Sequence, residues 1–376
     1  MMYSAAERLT PADIYDASRM AFLEMALSGI TAVGEFHYLH HSPDGSAYND
    51  PNLLAKEVVR AANDVGLRIA LLRVAYGRSG FEADPNPRQA RFIETDPELY
   101  LKNIVQLQKD LGEKNDMASV GVAPHSVRAV PLAYLKEIVD FANQEELPVH
   151  MHVAEQAAEV SACISEYGRS PVALLATEGL LSERFTAVHA IHVTSKAIRQ
   201  LSDSRASVCA CPTTERNLGD GIVPIDQYFK AGVAVSLGTD SQIQIDLLED
   251  ARELEYHLRL QKMERAVLAE GANTSRSALA ARLFACATVN GTQSVGMTTA
   301  TLETGEPADF FTVDLNDPSL AGATEEDLLS HIVFSLARTA VKDVVVAGKR
   351  IVADGRHAQQ EEIVERFKAL QKRLWG

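Results

Sequence analysis

Short apolar runs of strand length recur along the chain, separated by segments in which apolar residues return every three or four positions. The runs fall near Ile30–Phe36, Leu67–Ala75, Met117–Ala123, Leu147–Val153, Phe185–Ala190, Ala206–Ala210 and Val233–Gly238. Amphipathic segments lie between them, among them Pro11–Leu27, Pro51–Val65, Pro97–Leu111 and Pro131–Asn143. Three of these begin at a proline preceded by Thr10, Asp50 or Asp96. Such residues cap a helix, and proline's missing N–H costs nothing in the first turn. Near-continuous apolar strands alternating with helices predict a parallel sheet covered by helices. Seven such strands are one short of a closed (β/α)8 barrel, and the chain opens on a helix. The first barrel strand is therefore expected to be missing from the front. An open doubly wound sheet also accommodates seven strands, but no glycine-rich phosphate loop follows the first one.

Two long helical patterns follow, Leu247–Leu268 and Ser275–Asn290, and after Val295 the character changes. Gly305–Asp314 and Val341–Val352 read as β-rich, with a hairpin turn at Ala347-Gly348-Lys349, and a charged helix spans Glu361–Leu374. The expected organisation is a barrel over residues 1–300, a β-rich segment over 301–360 and a terminal helix over 361–376.

Composition narrows the class. A 46% hydrophobic, 23% charged chain of 376 residues is that of a globular protein with a large core. No apolar run approaches the roughly 20 residues that span a bilayer, and the first residues lack a signal peptide's apolar stretch. The expectation is a cytoplasmic protein. A formal charge of −15 argues against nucleic acid or an anionic membrane as partner, and leaves an acidic small molecule open. Cys163, Cys209, Cys211 and Cys286 form no CxxC pair. Cys209 and Cys211 read as alternate residues of one strand, a buried reduced pair.

The chemistry sits where strands end. The fourth run closes on His152 and is followed by Glu155, the fifth closes on His189, and the seventh leads into Asp240. A hydrolytic metal centre needs such groups: imidazole and carboxylate to hold the ion, and a nearby carboxylate to move protons. One histidine at a strand end is as well explained by a hydrogen-bonded core residue; three strand ends with compatible side chains make a constellation. His150 shares the strand face of His152. His37, His40 and His41 read as part of a solvated loop after the first strand.

These strand ends resemble the amidohydrolase superfamily, metal-dependent hydrolases on a distorted barrel with a small β-sandwich. The late pattern Ala308-Asp309-Phe310 with Val345-Val346-Ala347-Gly348-Lys349 is similar to the sandwich's returning strands. Within the superfamily the likeness narrows to the formimidoylglutamate deiminase family. It is carried by Glu35-Phe36-His37-Tyr38, Pro124-His125-Ser126-Val127-Arg128, His150-Met151-His152-Val153-Ala154-Glu155-Gln156, Thr214-Glu215-Arg216-Asn217-Leu218-Gly219-Asp220-Gly221 and Gly238-Thr239-Asp240-Ser241. The resemblance implies one zinc ion, with iron chemically admissible, held by His152 and Asp240. It implies that Asp240 takes the proton of the attacking water, that Glu155 protonates the departing nitrogen, and that His189 polarises the reacting centre. His125, Arg128 and Tyr38 would bind a dianionic substrate, and a homodimer would be the assembly.

The pattern also departs from that family. A His-x-His pair on the first barrel strand, which supplies two further zinc ligands, and an arginine beyond it have no counterpart here. The implied reaction is hydrolysis of N-formimidoyl-L-glutamate to N-formyl-L-glutamate and ammonia in histidine degradation, with activity in doubt for a chain that starts beyond that segment. A ring deaminase or chlorohydrolase of the same superfamily is the alternative enzyme. A binding partner without catalysis is the alternative of another class.

Overall fold

A computed structural model describes residues 5–81, 83, 86–112, 115–269, 276–297 and 301–376. Seven parallel strands follow one another across one sheet in sequence order: β1 (Ala32–His37), β2 (Arg68–Ala75), β3 (Ala118–Pro124), β4 (Val149–Val153), β5 (Phe185–His189), β6 (Ser207–Ala210) and β7 (Val235–Leu237). Helices join them, as expected when parallel strands need long crossovers. This is the α/β architecture of a distorted (β/α) barrel. A second, antiparallel sheet runs in the order β11-β10-β9-β8, built from β8 (Phe310–Val313), β9 (Val341–Val346), β10 (Lys349–Ala353) and β11 (Arg356–His357). Ala347 and Gly348, both at positive φ, close the β9–β10 hairpin, which suits the twist of a two-residue turn. No described helix is long and apolar enough to cross a membrane.

Helix starts follow the capping logic with one exception. Thr10 caps Pro11–Leu27 through a reciprocal capping box with Asp13, and Asp96 caps Pro97–Leu111. At the third site the helix begins at Leu53 instead of Pro51. There the Asp50 carboxylate accepts from Asn52 N at 2.9 Å, so Pro51 belongs to a turn ahead of the helix. Leu247–Lys262 stops earlier than its pattern suggested, because Met263 takes a left-handed backbone at φ +57. The following pattern divides at Thr288 into Arg276–Ala287 and Val289–Ser294, and Ser275 lies outside the described residues. Only Phe310–Val313 of the stretch 305–314 is a strand. Cys211 lies past the end of β6 as the N-cap of Pro212–Leu218, although both it and Cys209 are buried.

The chain divides into two compact units, Met1–Met151 with Val344–Gly376, and His152–Asp343. In the first, β2 is buried along nearly its whole length, and carries Arg73 into the interior with its side chain wholly covered. Arg73 makes a two-pronged ion pair with buried Glu94 and donates from Nε to Asn52 Oδ1 at 3.1 Å. Asn103 donates to Glu94 at 3.0 Å, and Asn52 donates to the Asn103 carbonyl at 2.8 Å. Every strong donor and acceptor of the charged pair thus has a partner, which a buried ion pair requires. The C-terminal helix Gln360–Trp375 returns to Pro11–Leu27 through Arg19–Glu362, Arg366–Asp16 and Arg373–Asp13.

Of the three histidines at and beyond the end of β1, His37 and His40 are not solvated. His37 and His40 are 5% and 2% exposed. The segment folds beneath residues 89–94, where His40 N and His41 N donate to the Arg91 carbonyl and the His40 ring bonds the Val74 carbonyl at 2.8 Å. Burial first, and then the nearby Arg73 charge, hold the His37 imidazole down at about 3 and that of His40 well below its ordinary value. These rings are therefore neutral packing groups near pH 7.

Gly121 in β3 is dictated by close approach: a Cβ there would lie 2.6 Å from Leu72 Cδ2 and 2.9 Å from Pro148 Cγ. Gly121→Ala is expected to cost about 1–3 kcal/mol through overpacking, read from a urea unfolding midpoint. Glu94→Ala should cost more, about 3–5 kcal/mol, since it strands a buried guanidinium. The double change Arg73→Met with Glu94→Leu should cost less than Glu94→Ala in the same titration.

Candidate active site at the strand ends

In the second unit three strand ends turn sharply, and the chemistry-bearing side chains sit at the turns. Past β4, which includes His152, Ala154 has φ +52 and Glu155 follows. β5 ends on His189 at φ +69, with Ala190 at φ +48, and Asp240 beyond β7 has φ +55. Left-handed backbone at non-glycine residues costs roughly 1–3 kcal/mol each and persists only where neighbours enforce it. The enforcing groups are visible. The Glu159 carboxylate accepts from Ala154 N at 3.3 Å and Glu155 N at 3.0 Å. Tyr228 Oη donates to the Ala190 carbonyl at 2.6 Å, and Ala190 N donates to Val153 O at 3.0 Å. Thr214 Oγ1 donates to Thr239 O at 2.8 Å and accepts from Ser241 N at 3.2 Å, bracketing Asp240.

The turns aim their side chains at one point. The His152 and His189 rings stack at 27° with centroids 5.5 Å apart. His152 Nε2 lies 3.8 Å from Asp240 Oδ1. His189 Nε2 lies 4.0 Å from Asp240 Oδ2 and 3.9 Å from Glu155 Oε1. His189 is fully buried, and its Nε2 has no hydrogen-bond partner among the described residues. These gaps are too long for hydrogen bonds. They remain below twice a zinc–ligand distance, about 4.2 Å, so an ion fits between such donors. One donor atom each from His152, His189 and Asp240 lies within 4.8 Å of the others. The His152 and Asp240 donors fit a bound divalent cation, and the orphaned His189 Nε2 faces the same point.

Charge is distributed accordingly. Partial burial would raise the Asp240 carboxyl, but the His152 and His189 imidazoles outweigh it and hold it below its ordinary value. Burial opposes a charge on His189, yet hydrogen bonding and charge from Glu215, with Asp240 and Glu155 beyond, raise its imidazole to about 9. With its imidazole raised that far, His189 carries a proton on Nε2 near pH 7 and faces the centre as a hydrogen-bond donor.

The first unit holds the other sequence-identified residues. The Tyr38 ring lies 5.6 Å from that of His125, which also sits 4.8 Å from Tyr76. Tyr38 packs against the apolar cluster of Leu72, Tyr76 and Phe92. His125 Nδ1 is 3.0 Å from Ser126 Oγ. Arg128 is half-buried, with its Nε covered and without a hydrogen-bond partner among the described residues. His150 is buried in β4. Glu159, Thr214, Glu215 and Tyr228 escaped sequence reasoning as supports. Thr214 and Glu215 stood inside a family-like motif, but nothing in the order of residues said what they touch.

Known proteins fit this arrangement. The Amidohydrolase family profile matches residues 2–351. A formimidoylglutamate deiminase of Pseudomonas aeruginosa is 35% identical over 98% of this chain and 80% of its own length. A 5-methylthioadenosine/S-adenosylhomocysteine deaminase of Syntrophomonas wolfei is 29% identical over 98% of this chain and 78% of its own. The crystal structure of an amidohydrolase from Brucella melitensis superposes with a TM-score of 0.92 at 34% identity, covering all of this chain and 82% of the other. An adenosine deaminase from Xanthomonas campestris with bound zinc shares the fold, with a TM-score of 0.82 at 23% identity over 99% of this chain and 77% of its own. Members of the family are metal-dependent hydrolases acting on C–N bonds. By sequence and by fold, this chain belongs to the amidohydrolase family.

Proposed function

We propose that the protein is a zinc-dependent deiminase that hydrolyses N-formimidoyl-L-glutamate to N-formyl-L-glutamate and ammonia. The observation that carries a hydrolytic reading is the buried, unpartnered His189 Nε2, flanked at 3.9 and 4.0 Å by the Glu155 and Asp240 carboxylates. The choice of substrate is supported by the 35% identity with a formimidoylglutamate deiminase over nearly the whole chain.

His152 and Asp240 would hold the ion. Zinc would supply a Lewis acid that makes water acidic enough to attack near pH 7. Asp240, kept ionised by its two histidine neighbours, accepts the proton released as water adds to the formimidoyl carbon. His189 donates a hydrogen bond from Nε2 to the oxygen that becomes negative there. Glu155 carries the proton to the nitrogen that leaves as ammonia, since an amide-like anion is too poor a leaving group by itself. The substrate's two carboxylates call for fixed cationic and hydrogen-bonding donors, a role that suits Arg128 and His125, with the Tyr38 ring against that of His125.

A second reading, hydrolytic deamination of a purine ring, is favoured by the 29% identity with a methylthioadenosine deaminase. Ammonia release from N-formimidoyl-L-glutamate and from 5′-methylthioadenosine, assayed side by side, decides between them: turnover of only the second substrate overturns the proposal. Glu155→Gln is expected to lower kcat by about 10²–10⁴-fold, the usual worth of a general acid. Arg128→Met should raise KM roughly 10- to 100-fold, the loss of a charge-assisted hydrogen bond. Chelation should abolish turnover, and stoichiometric zinc, followed by elemental analysis, should restore it.

A further inference from the structure

The side chain behind His189 has no role in the chemistry just described. Glu215 sits in the helix Pro212–Leu218 that follows β6, and is 2% exposed. Its Oε1 lies 3.1 Å from His189 Nδ1 and accepts from Cys211 N at 2.9 Å. The second contact reaches back to the start of Glu215's own helix, so the carboxylate is itself fixed before it meets the ring. Burial raises the Glu215 carboxyl while the His189 imidazole beside it works the other way, and as a carboxylate it only accepts hydrogen bonds. The proton of the contact therefore belongs to Nδ1, and Nε2 is left for the centre between Glu155 and Asp240.

We infer that Glu215 is a positioning residue: it locks the His189 ring with Nδ1–H toward itself and Nε2 toward the reacting centre. The need for such a lock follows from the backbone. His189 and Ala190 are both left-handed, so the ring stands at a turn, where a flip about its own bond would exchange the two nitrogens. Stacking on His152 restrains the ring plane but does not tell one nitrogen from the other. A carboxylate on one side does, in the manner of the carboxylate partners that orient metal-site histidines.

Donor atoms of His189, Cys211 and Glu215 also lie within 4.8 Å of one another, a set that could hold a second ion. The contacts favour the orienting pair. Nδ1 and Oε1 already face each other, Oε1 is also engaged by Cys211 N, and the Cys211 thiol is held protonated by its Cys209 neighbour and by burial. Zinc binds the thiolate.

The inference rests on the deiminase reading for its kinetic consequence alone, and the test keeps the two apart. The full chain is labelled with 15N-histidine, and the His189 ring signals are assigned by their loss in His189→Asn. In the unsubstituted protein the long-range couplings should show a proton on Nδ1. Glu215→Gln retains an oxygen acceptor without charge, and should move the Nδ1–H resonance to that of a weaker hydrogen bond. Glu215→Ala removes the charge that raises the ring, and should give a neutral imidazole in a mixture of tautomers. Ring signals unchanged in Glu215→Gln overturn the inference, and they do so even if Glu215→Ala fails to fold. With N-formimidoyl-L-glutamate, Glu215→Gln should lower kcat roughly 10- to 100-fold, the usual cost of losing such a partner, with KM within about twofold. A raised KM with unchanged kcat would also overturn it. Should the unsubstituted protein not turn over this substrate, the deiminase reading falls while the ring signals still decide the role of Glu215.

Discussion

Parallel pairing is the constraint on which the site depends. When strands run the same way, their carboxyl ends lie along one edge of the sheet, and residues far apart in sequence come together there. In the unit His152–Asp343, β5, β6 and β7 pair in register, Val188 with Cys209 and Cys209 with Ser236. His189 and Asp240 follow the ends of two of these strands, and His152 with Glu155 comes from the end of β4. The side chains that meet are separated by up to dozens of residues, and no local rule joins them.

Convergence alone does not make a reactive centre; the strand ends must also be bent and held. Ala154, His189, Ala190 and Asp240 all adopt left-handed backbone, a cluster of strain of the kind that surrounding structure has to sustain. Each turn has its own clamp: Glu159 at Glu155, Tyr228 at Ala190, Thr214 at Asp240, and Glu215 on the His189 ring. All four clamps come from helices that follow β4 or β6. The crossovers that parallel pairing demands thus also supply the supports of the site.

The other unit solves a different problem with the same economy of polar groups. Arg73 is buried in β2, where an unpaired charge would cost several kcal/mol, and Glu94, Asn52 and Asn103 close a complete network around it. That network ties the segment ending at Glu94 to the sheet, and the same segment accepts from His40 N and His41 N at the Arg91 carbonyl. The His37 and His40 rings stay neutral because burial and the Arg73 charge act in the same direction. A histidine cluster that invites a metal-binding reading is therefore a packing feature beneath a salt-bridged loop.

The sequence by itself determined the elements and their order. Apolar runs located seven strands to within a residue or two, and Thr10 and Asp96 marked helix starts that the structure keeps. Such signals are local, since strand burial and capping depend on residues a few positions apart. The types at the strand ends, His152, Glu155, His189 and Asp240, were legible too, because their chemistry is carried by the residue itself. Tertiary structure decided what local order cannot encode. It drew the turn at Asp50-Pro51 ahead of its helix and buried His37 and His40. It stopped the helix at Met263, and set Glu159, Thr214, Glu215 and Tyr228 against turns up to dozens of residues away. A hydrogen bond across that distance exists only once the sheet has fixed both ends, and so it leaves no periodic trace in the chain.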